Sequence, residues 1–470
     1  MYWLNTKQTV MNFFVRNYDQ YFIEWKNSIN RKPMLLAGAR QVGKTSSVKK
    51  FGRENYKNIF ELNFMRDQEI LSNVFDDGLQ PSSILENAQI ALGKPFNPEA
   101  DLLVFEEIGF SQSALTSLKF FYEDAPEIHI IATGSNVGLF KNYPVGKTDR
   151  ITMYPMTFRE FLMATNNSIL LKFVDTPDHS KVPTVAHNKL IGLITDYWFV
   201  GGMPEAVNAW ISYPEIEPLK RIKAVEKVKA NLLADYKNDF GKFSKEHPAT
   251  TLNIRRVYEA VAIKIAEIED GTTPKFKFKG VLGNTSVSYE DIVAPVDFLE
   301  CLKLIHKVFI LDGVNNNFNM NFQKKDNMFK LVPHDVGILT RMIGMTYQNI
   351  KEGKDAYKGF IAETFVLNEI VSSMVFPEEE NALFSFKRGD SMEIEFLLKS
   401  LENEYVPIEV KSGKNRRSIS LTNFVEKYKP QRALKFTFNY VENNPERIVQ
   451  HLPIYKIRAT YVQHFKRGSE

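Results

Sequence analysis

The sequence predicts an α/β chain: a parallel sheet near the N-terminus, a helical region in the middle and a second α/β unit near the C-terminus. Three observations lead there. The stretch "GARQVGKT" stands between an apolar run and a helix-forming run. Two further unbroken apolar runs, in "ADLLVFEE" and "EIHIIATG", suit strands buried on both faces of a parallel sheet. Near the C-terminus "MEIEFLL" and "YVPIEVK" alternate apolar and polar residues as half-buried strands do.

The chain has 470 residues, room for about three domains of ordinary size. With 44% hydrophobic and 25% charged residues it lies outside the disordered class. The single cysteine, Cys301, excludes an intramolecular disulfide framework, fits a reducing compartment and reads as core filler. No run of about 18 apolar residues occurs, so no membrane span is expected. The opening "MYWLNTKQTVMNFF" lacks the basic-then-apolar layout of a signal peptide, and a cytoplasmic location is expected. Net charge is +4, but from Leu401 onward 13 Lys/Arg stand against 7 Asp/Glu. That basic segment is compatible with phosphate-backbone contacts and equally with a solvated face.

"KPMLLAGARQVGKTSSVKKFG" contains G-x-x-x-x-G-K-[ST], the P-loop pattern, in its required context of strand, loop and helix. Gly38, Ala39, Arg40, Gln41, Val42, Gly43, Lys44, Thr45 and Ser46 form the expected cofactor-binding loop for ATP. Its backbone N–H groups would wrap phosphate oxygens at a helix N-terminus. Lys44 would reach the β- and γ-phosphates and Thr45 would hold Mg²⁺. The second apolar run ends in Glu106 and Glu107. Glu106 is expected at the Mg²⁺, where Asp is usual, and Glu107 is expected to polarise the attacking water. The third run ends in Thr133, Gly134, Ser135 and Asn136, at a strand tip where ligands bind. Ser135 could sense the γ-phosphate; the alternative is an ordinary strand-to-loop turn.

Together "GARQVGKT", "LLVFEEIG" and "IIATGSN" resemble the AAA-type P-loop ATPases, and among them the prokaryotic group that carries a C-terminal domain of unknown function. "YPVGKTDRITMYPMTFREFL" is similar to that group's basic segment and "YPLTFxEF" signature, and "YWFVGGMPEAV" to its "GGxPEAV" turn. The resemblance covers most of the chain, and the P-loop is its most specific part. A basic residue near the γ-phosphate would stabilise charge in phosphoryl transfer; Arg150 is the first candidate, with Arg159 and Lys147 behind it. An arginine acting in trans would require a homo-oligomer. Gly201 and Gly202 read as a tight turn before a helix starting at Pro204, without chemistry of their own.

The middle of the chain reads as helices followed by strand, loop, strand and helix, the order of a winged-helix module, which the resemblance also suggests. His306 and His334 have no metal-ligand spacing and read as structural. The domains expected are 1–165, the ATPase; 166–223, a helical connector; 224–348, helical and winged-helix-like; and 349–470, restriction-endonuclease-like.

That last unit answers a chemical demand. A nuclease of this kind needs two or three carboxylates around Mg²⁺ and a lysine near the attacking water. In "VPIEVKSGK" Glu409 and Lys411 share one strand face. Glu393 and Glu395 alternate on the preceding strand, and the short connection predicts an antiparallel hairpin. The pattern is similar to the family's "EVDFLL…IPIEVKSG", with Glu395 where Asp is commoner. On the helix "YKGFIAETFVLNEIV", Glu363 shares the stripe of Val366, Leu367 and Ile370. A carboxylate there needs a partner, such as a metal or the Lys411 ammonium. Lys414, Arg416 and Arg417 could touch a phosphate backbone or stay solvated. The function expected is an ATPase, with ATP/ADP and Mg²⁺ bound at Lys44, Thr45 and Glu106. It would be coupled to a nuclease-like site of Glu363, Glu395, Glu409 and Lys411 acting on DNA or RNA, with Mg²⁺ held by Glu395 and Glu409. The alternatives are a nucleotide-gated binding switch and a DNA-binding regulator, neither of which cuts.

Overall fold

The structure, a computed structural model, describes residues 13–135, 146–176, 181–243, 250–266, 275–283, 287–315, 321, 323–353, 355–374, 383–389, 392–402, 404–412, 418–439 and 447–466. Asn136, Lys414, Arg416 and Arg417 lie outside the described residues.

Strands β1 (Met34–Ala37), β2 (Asn58–Asn63), β3 (Asp101–Glu106), β4 (Ile130–Gly134) and β5 (Asp149–Thr152) form one sheet in the order β2-β3-β4-β1-β5. Every neighbouring pair runs parallel. β1, β3 and β4 are buried at every position, which is why their sequences are unbroken apolar runs. The carboxyl ends of β1, β3 and β4 therefore open on one edge, the crevice where ligands of such sheets bind. The helix Lys44–Asn55 leaves directly from the loop after β1.

The second sheet is mixed. Its strands are β6 (Ile305–Leu311), β7 (Phe329–Pro333), β8 (Leu383–Arg388), β9 (Met392–Lys399), β10 (Tyr405–Lys411), β11 (Ala433–Thr437) and β12 (Val449–Pro453). They lie in the order β12-β11-β10-β9-β8-β6-β7. β8, β9 and β10 run antiparallel in succession. β10, β11 and β12 run parallel, with the helix Ile419–Tyr428 crossing between β10 and β11. β6 and β7 pair antiparallel, and β6 also pairs parallel with β8. The strands that the order of elements assigns to a wing are thus part of the C-terminal sheet. β8 without β6 would be an open edge of unpaired N–H and C=O groups.

Helices Thr184–Val200, Pro204–Ile211, Pro218–Phe243, Thr251–Ala266, Tyr289–Cys301 and Val336–Met342 join the two sheets. Buried polar contacts lock the regions together. Asp335 caps the helix Val336–Met342 by accepting from Ile338 N at 2.8 Å and also accepts from Gly202 N at 2.6 Å. Glu369 Oε1, on the helix Asp355–Val371, accepts from Phe158 N at 2.7 Å. Among the described residues no helix is long and apolar enough to cross a membrane.

Candidate functional site

The loop after β1 has the geometry that its glycines allow. At Gly38 (φ +145°) a Cβ would meet the Met153 carbonyl oxygen at 2.2 Å, so only glycine fits between β1 and the residue after β5. Lys44 Nζ folds back on the loop and donates to Gly38 O and Ala39 O, both at 2.9 Å. Burial lowers the Lys44 ammonium to about 8, although Glu107 and Glu106 oppose the shift. Thr45 Oγ1 donates to Glu106 Oε1, which joins the two residues expected at the metal. Burial raises the Glu106 carboxyl, against hydrogen bonds from Thr45 and Thr133. Glu107 occupies the left-handed region (φ 53°, ψ 47°), uncommon for a residue with a side chain and frequent at functional sites. Its N–H donates to Thr133 Oγ1 at 3.3 Å.

A cavity of about 430 Å³ opens on this loop, lined by Gln41, Gly43, Lys44, Thr45, Ser46 and Glu107 together with Phe13, Phe14, Arg16, Pro204, Glu205 and Asn208. The second group was not marked by any sequence pattern except one. "GGMPEAV" reads as a turn and a helix start, and its helix Pro204–Ile211 closes one wall of the cavity. Arg16 is buried and donates to Val42 O at 2.8 Å, Tyr154 O at 2.7 Å and Glu160 Oε1 at 3.0 Å. Glu160 also completes a capping box with Thr157. "YPMTFREFL" therefore braces the loop through Arg16, and its conspicuous acid is a cap and counter-ion.

The other basic and sensing candidates take separate places. Arg150 lies on β5 in register with Leu35, three residues before Gly38. Its charge reaches the Cys301 thiol, which burial raises. Arg159 pairs with Asp175 at 2.8 Å and Lys147 with Glu123 at 2.9 Å. None of the three lines the cavity. Ser135 is buried and lines a small cleft with Arg40, Tyr236 and Asp239. Two loop residues are tied to the helix Pro218–Phe243: Arg40 pairs with Asp239, and Gln41 Nε2 donates to Asp235 at 3.0 Å.

The C-terminal candidates do converge. Glu409 and Glu395 stand on neighbouring strands, one step beyond the Ile408–Phe396 pair, and are 1% and 5% exposed. Lys411 Nζ lies 3.3 Å from Glu409 Oε1 and 3.7 Å from Glu395 Oε1. Burial drives the Glu395 carboxyl up to about 7, with Lys411 opposing. Burial also works against the Lys411 ammonium, but Glu395 and Glu409 outweigh it and hold its pKa above the usual value. Glu363 is buried on the apolar stripe as its spacing predicts. Its partner, however, is Lys330 on β7, 2.9 Å away, rather than Lys411. Glu393 sits at the rim and pairs with Lys387 at 2.7 Å. In register with Glu409 on β11 is the buried Lys435, and in register with that on β12 is His451.

Both acidic pairs fit Mg²⁺. Glu106 Oε2, Glu107 Oε2, Glu395 Oε2 and Glu409 Oε2 are buried without a hydrogen-bond partner among the described residues. A buried carboxylate oxygen left so is costly, and oxygen donors are what Mg²⁺ takes. Among the described residues no three His, Cys, Asp or Glu side chains converge on one metal position. Mg²⁺ commonly binds through one or two carboxylates and completes its shell with water and phosphate oxygens.

Residues 30–162 match the family described as "AAA domain". Residues 191–349 and 358–457 match two domains of unknown function, DUF8612 and DUF4143. No curated protein matches the chain. Among solved structures the chain is similar to the Aeropyrum pernix Orc1 protein in complex with DNA, at 13% identity over 70% of this chain and 93% of that one, with a TM-score of 0.30. It is also similar to Drosophila ORC bound to DNA, at 13% identity over 72% and 89%, with a TM-score of 0.26. At these scores neither likeness bears on the fold or activity of this chain.

Proposed function

We propose that this chain, whose residues 30–162 are an AAA-type ATPase domain, hydrolyses ATP and couples its nucleotide state to a Mg²⁺-dependent, nuclease-like site that acts on nucleic acid. The observation that carries the second half is the Lys411 ammonium facing two buried carboxylates, each with one oxygen uncommitted. In the ATPase site Lys44 would exchange the Gly38 and Ala39 carbonyls for phosphate oxygens, Thr45 and Glu106 would hold Mg²⁺, and Glu107 would orient water. Arg150 does not line the cavity of its own chain; to act on a γ-phosphate it would need the nucleotide of a neighbouring copy in a homo-oligomer. In the C-terminal site Glu395 and Glu409 would hold Mg²⁺, and Lys411 would stabilise negative charge developing on a phosphodiester. Bound Mg²⁺ supplies charge neutralisation and a more acidic water.

One observation favours a second reading, a nucleotide-gated switch that binds without cutting. The third acid, Glu363, is already neutralised by Lys330. Full-length protein with ATP and Mg²⁺, incubated with single- and double-stranded DNA and RNA, separates the two. The nuclease reading expects cleavage that falls by about 100-fold or more in Lys411→Ala, with ATP turnover retained. Lys44→Ala should abolish that turnover. Nucleic acids left intact by the wild-type protein would leave the switch.

A further inference from the structure

We propose that Lys330, which the middle region brings in on β7, is a built-in counter-cation of the nuclease-like site and sets how tightly Glu395 and Glu409 hold a divalent ion. Lys330 and Glu363 are 1% and 2% exposed, and their charged atoms meet at 2.9 Å. Burial works against the charge of such a lysine. The charges of Glu363, Glu393 and Glu395 outweigh it and keep it an ammonium. Glu395 therefore lies within the field of two lysines, Lys330 and Lys411. Lys435, in register beside Glu409, donates to Ser418 Oγ, so Lys330 and Lys411 are the ammonium groups whose charges act on the buried Glu363, Glu395 and Glu409. Much of the negative charge is offset before any ion enters.

Two consequences follow from Coulomb attraction in a site of low dielectric. A divalent cation entering between Glu395 and Glu409 meets the repulsion of Lys330. It also finds the Glu363 charge offset by Lys330. Removing the ammonium while keeping the carboxylate lifts that repulsion and leaves the Glu363 charge, which Glu395 already feels, to attract the ion. Lys330 acts through Glu363 and is a positioning residue. It belongs to the stretch matching DUF8612, whereas the acids belong to the stretch matching DUF4143, so one region tunes the other's site.

The inference rests on the cation-binding part of the proposed function, and its test reads binding rather than cleavage. Full-length, nucleotide-free protein is titrated with Mn²⁺ and free ion is followed by electron paramagnetic resonance. Lys330→Met should bind Mn²⁺ about tenfold more tightly or better, and adding Glu409→Gln should remove the gain. Lys330→Met/Glu363→Gln, which replaces a buried pair by uncharged groups and is the variant that tolerates folding best, should return to wild-type affinity. Wild-type affinity in folded Lys330→Met would overturn the proposal. So would a marked loss in the double variant, since Glu363 would then already be a ligand. Tighter Mn²⁺ without cleavage by any variant would sink the nuclease reading alone; cleavage with unchanged Mn²⁺ affinity would sink the role of Lys330 alone.

Discussion

Lys44 shows what burial does to a single charge. Two carbonyl oxygens at 2.9 Å hold its ammonium, yet desolvation brings the pKa down to about 8. Polyphosphate favours the charged form, so binding must pull a proton onto Lys44 wherever the free protein has lost it. ATP affinity is expected to fall as pH rises through about 8, with proton uptake on binding. Calorimetric titration near pH 8.5 in buffers of different ionisation heat checks this; binding heats that do not depend on buffer would contradict it. The lysine itself is legible from G-K-T, because the motif is local. Its two carbonyl partners come from the path of the loop.

At the scale of elements, two junctions matter. Gly202 passes so close to the "YPMTFREFL" segment that a Cβ would meet Met156 O at 2.1 Å, and Met156 N donates to Gly202 O at 2.7 Å. The helix Pro204–Ile211 that follows is a wall of the cavity beside Lys44. Gly202→Ala should cost about 1–3 kcal/mol of stability in denaturant unfolding and raise KM for ATP more than it lowers kcat. The second junction is Glu369, whose carboxyl burial pushes up to about 7 while the Phe158 N–H opposes. Its folded value lies above that of an unfolded glutamate, near 4.3. The stability it contributes is therefore complete below about pH 4 and is lost as pH rises through about 7. Glu369→Gln should flatten the fall of Tm between about pH 5 and 8, leaving the part due to Glu395, which is raised likewise. An unchanged slope would mean that Glu369 does not titrate in that window.

Across the whole molecule one helix, Pro218–Phe243, connects the loop after β1 with the residue that follows β7. At one end Asp239 pairs with Arg40 and Asp235 accepts from Gln41, both loop residues. On the same stretch the Tyr236 hydroxyl lies 3.4 Å from Arg40 O and 3.5 Å from His334 Nε2, and His334 directly follows β7, the strand of Lys330. Nucleotide binding must rearrange the loop's polar contacts, so ATP should protect this helix from amide exchange in the wild-type protein. Asp239→Ala should remove most of that protection, as measured by hydrogen–deuterium exchange with and without ATP. Equal protection in both proteins would show that the loop does not report to the helix through this pair.

The sequence by itself determined the elements whose signals are short. These are the strand–loop–helix around Lys44, the acid pair ending β3, and the β9–β10 hairpin with Glu395, Glu409 and Lys411. Each lies within about two dozen residues, where periodicity and motif spacing express side-chain chemistry directly. The tertiary structure decided the partners. Lys330 and Glu363 are 33 residues apart, Arg16 and Glu160 are 144 apart, and Arg40 and Asp239 are 199 apart. It also carried β6 and β7 into the C-terminal sheet and brought "GGMPEAV" to the cavity beside Lys44. A lysine or glutamate reads the same along the chain whether it ends in water or in a buried pair. Only the long-range path of the backbone brings the opposite charge within 3 Å of Glu363, and that encounter makes its burial affordable.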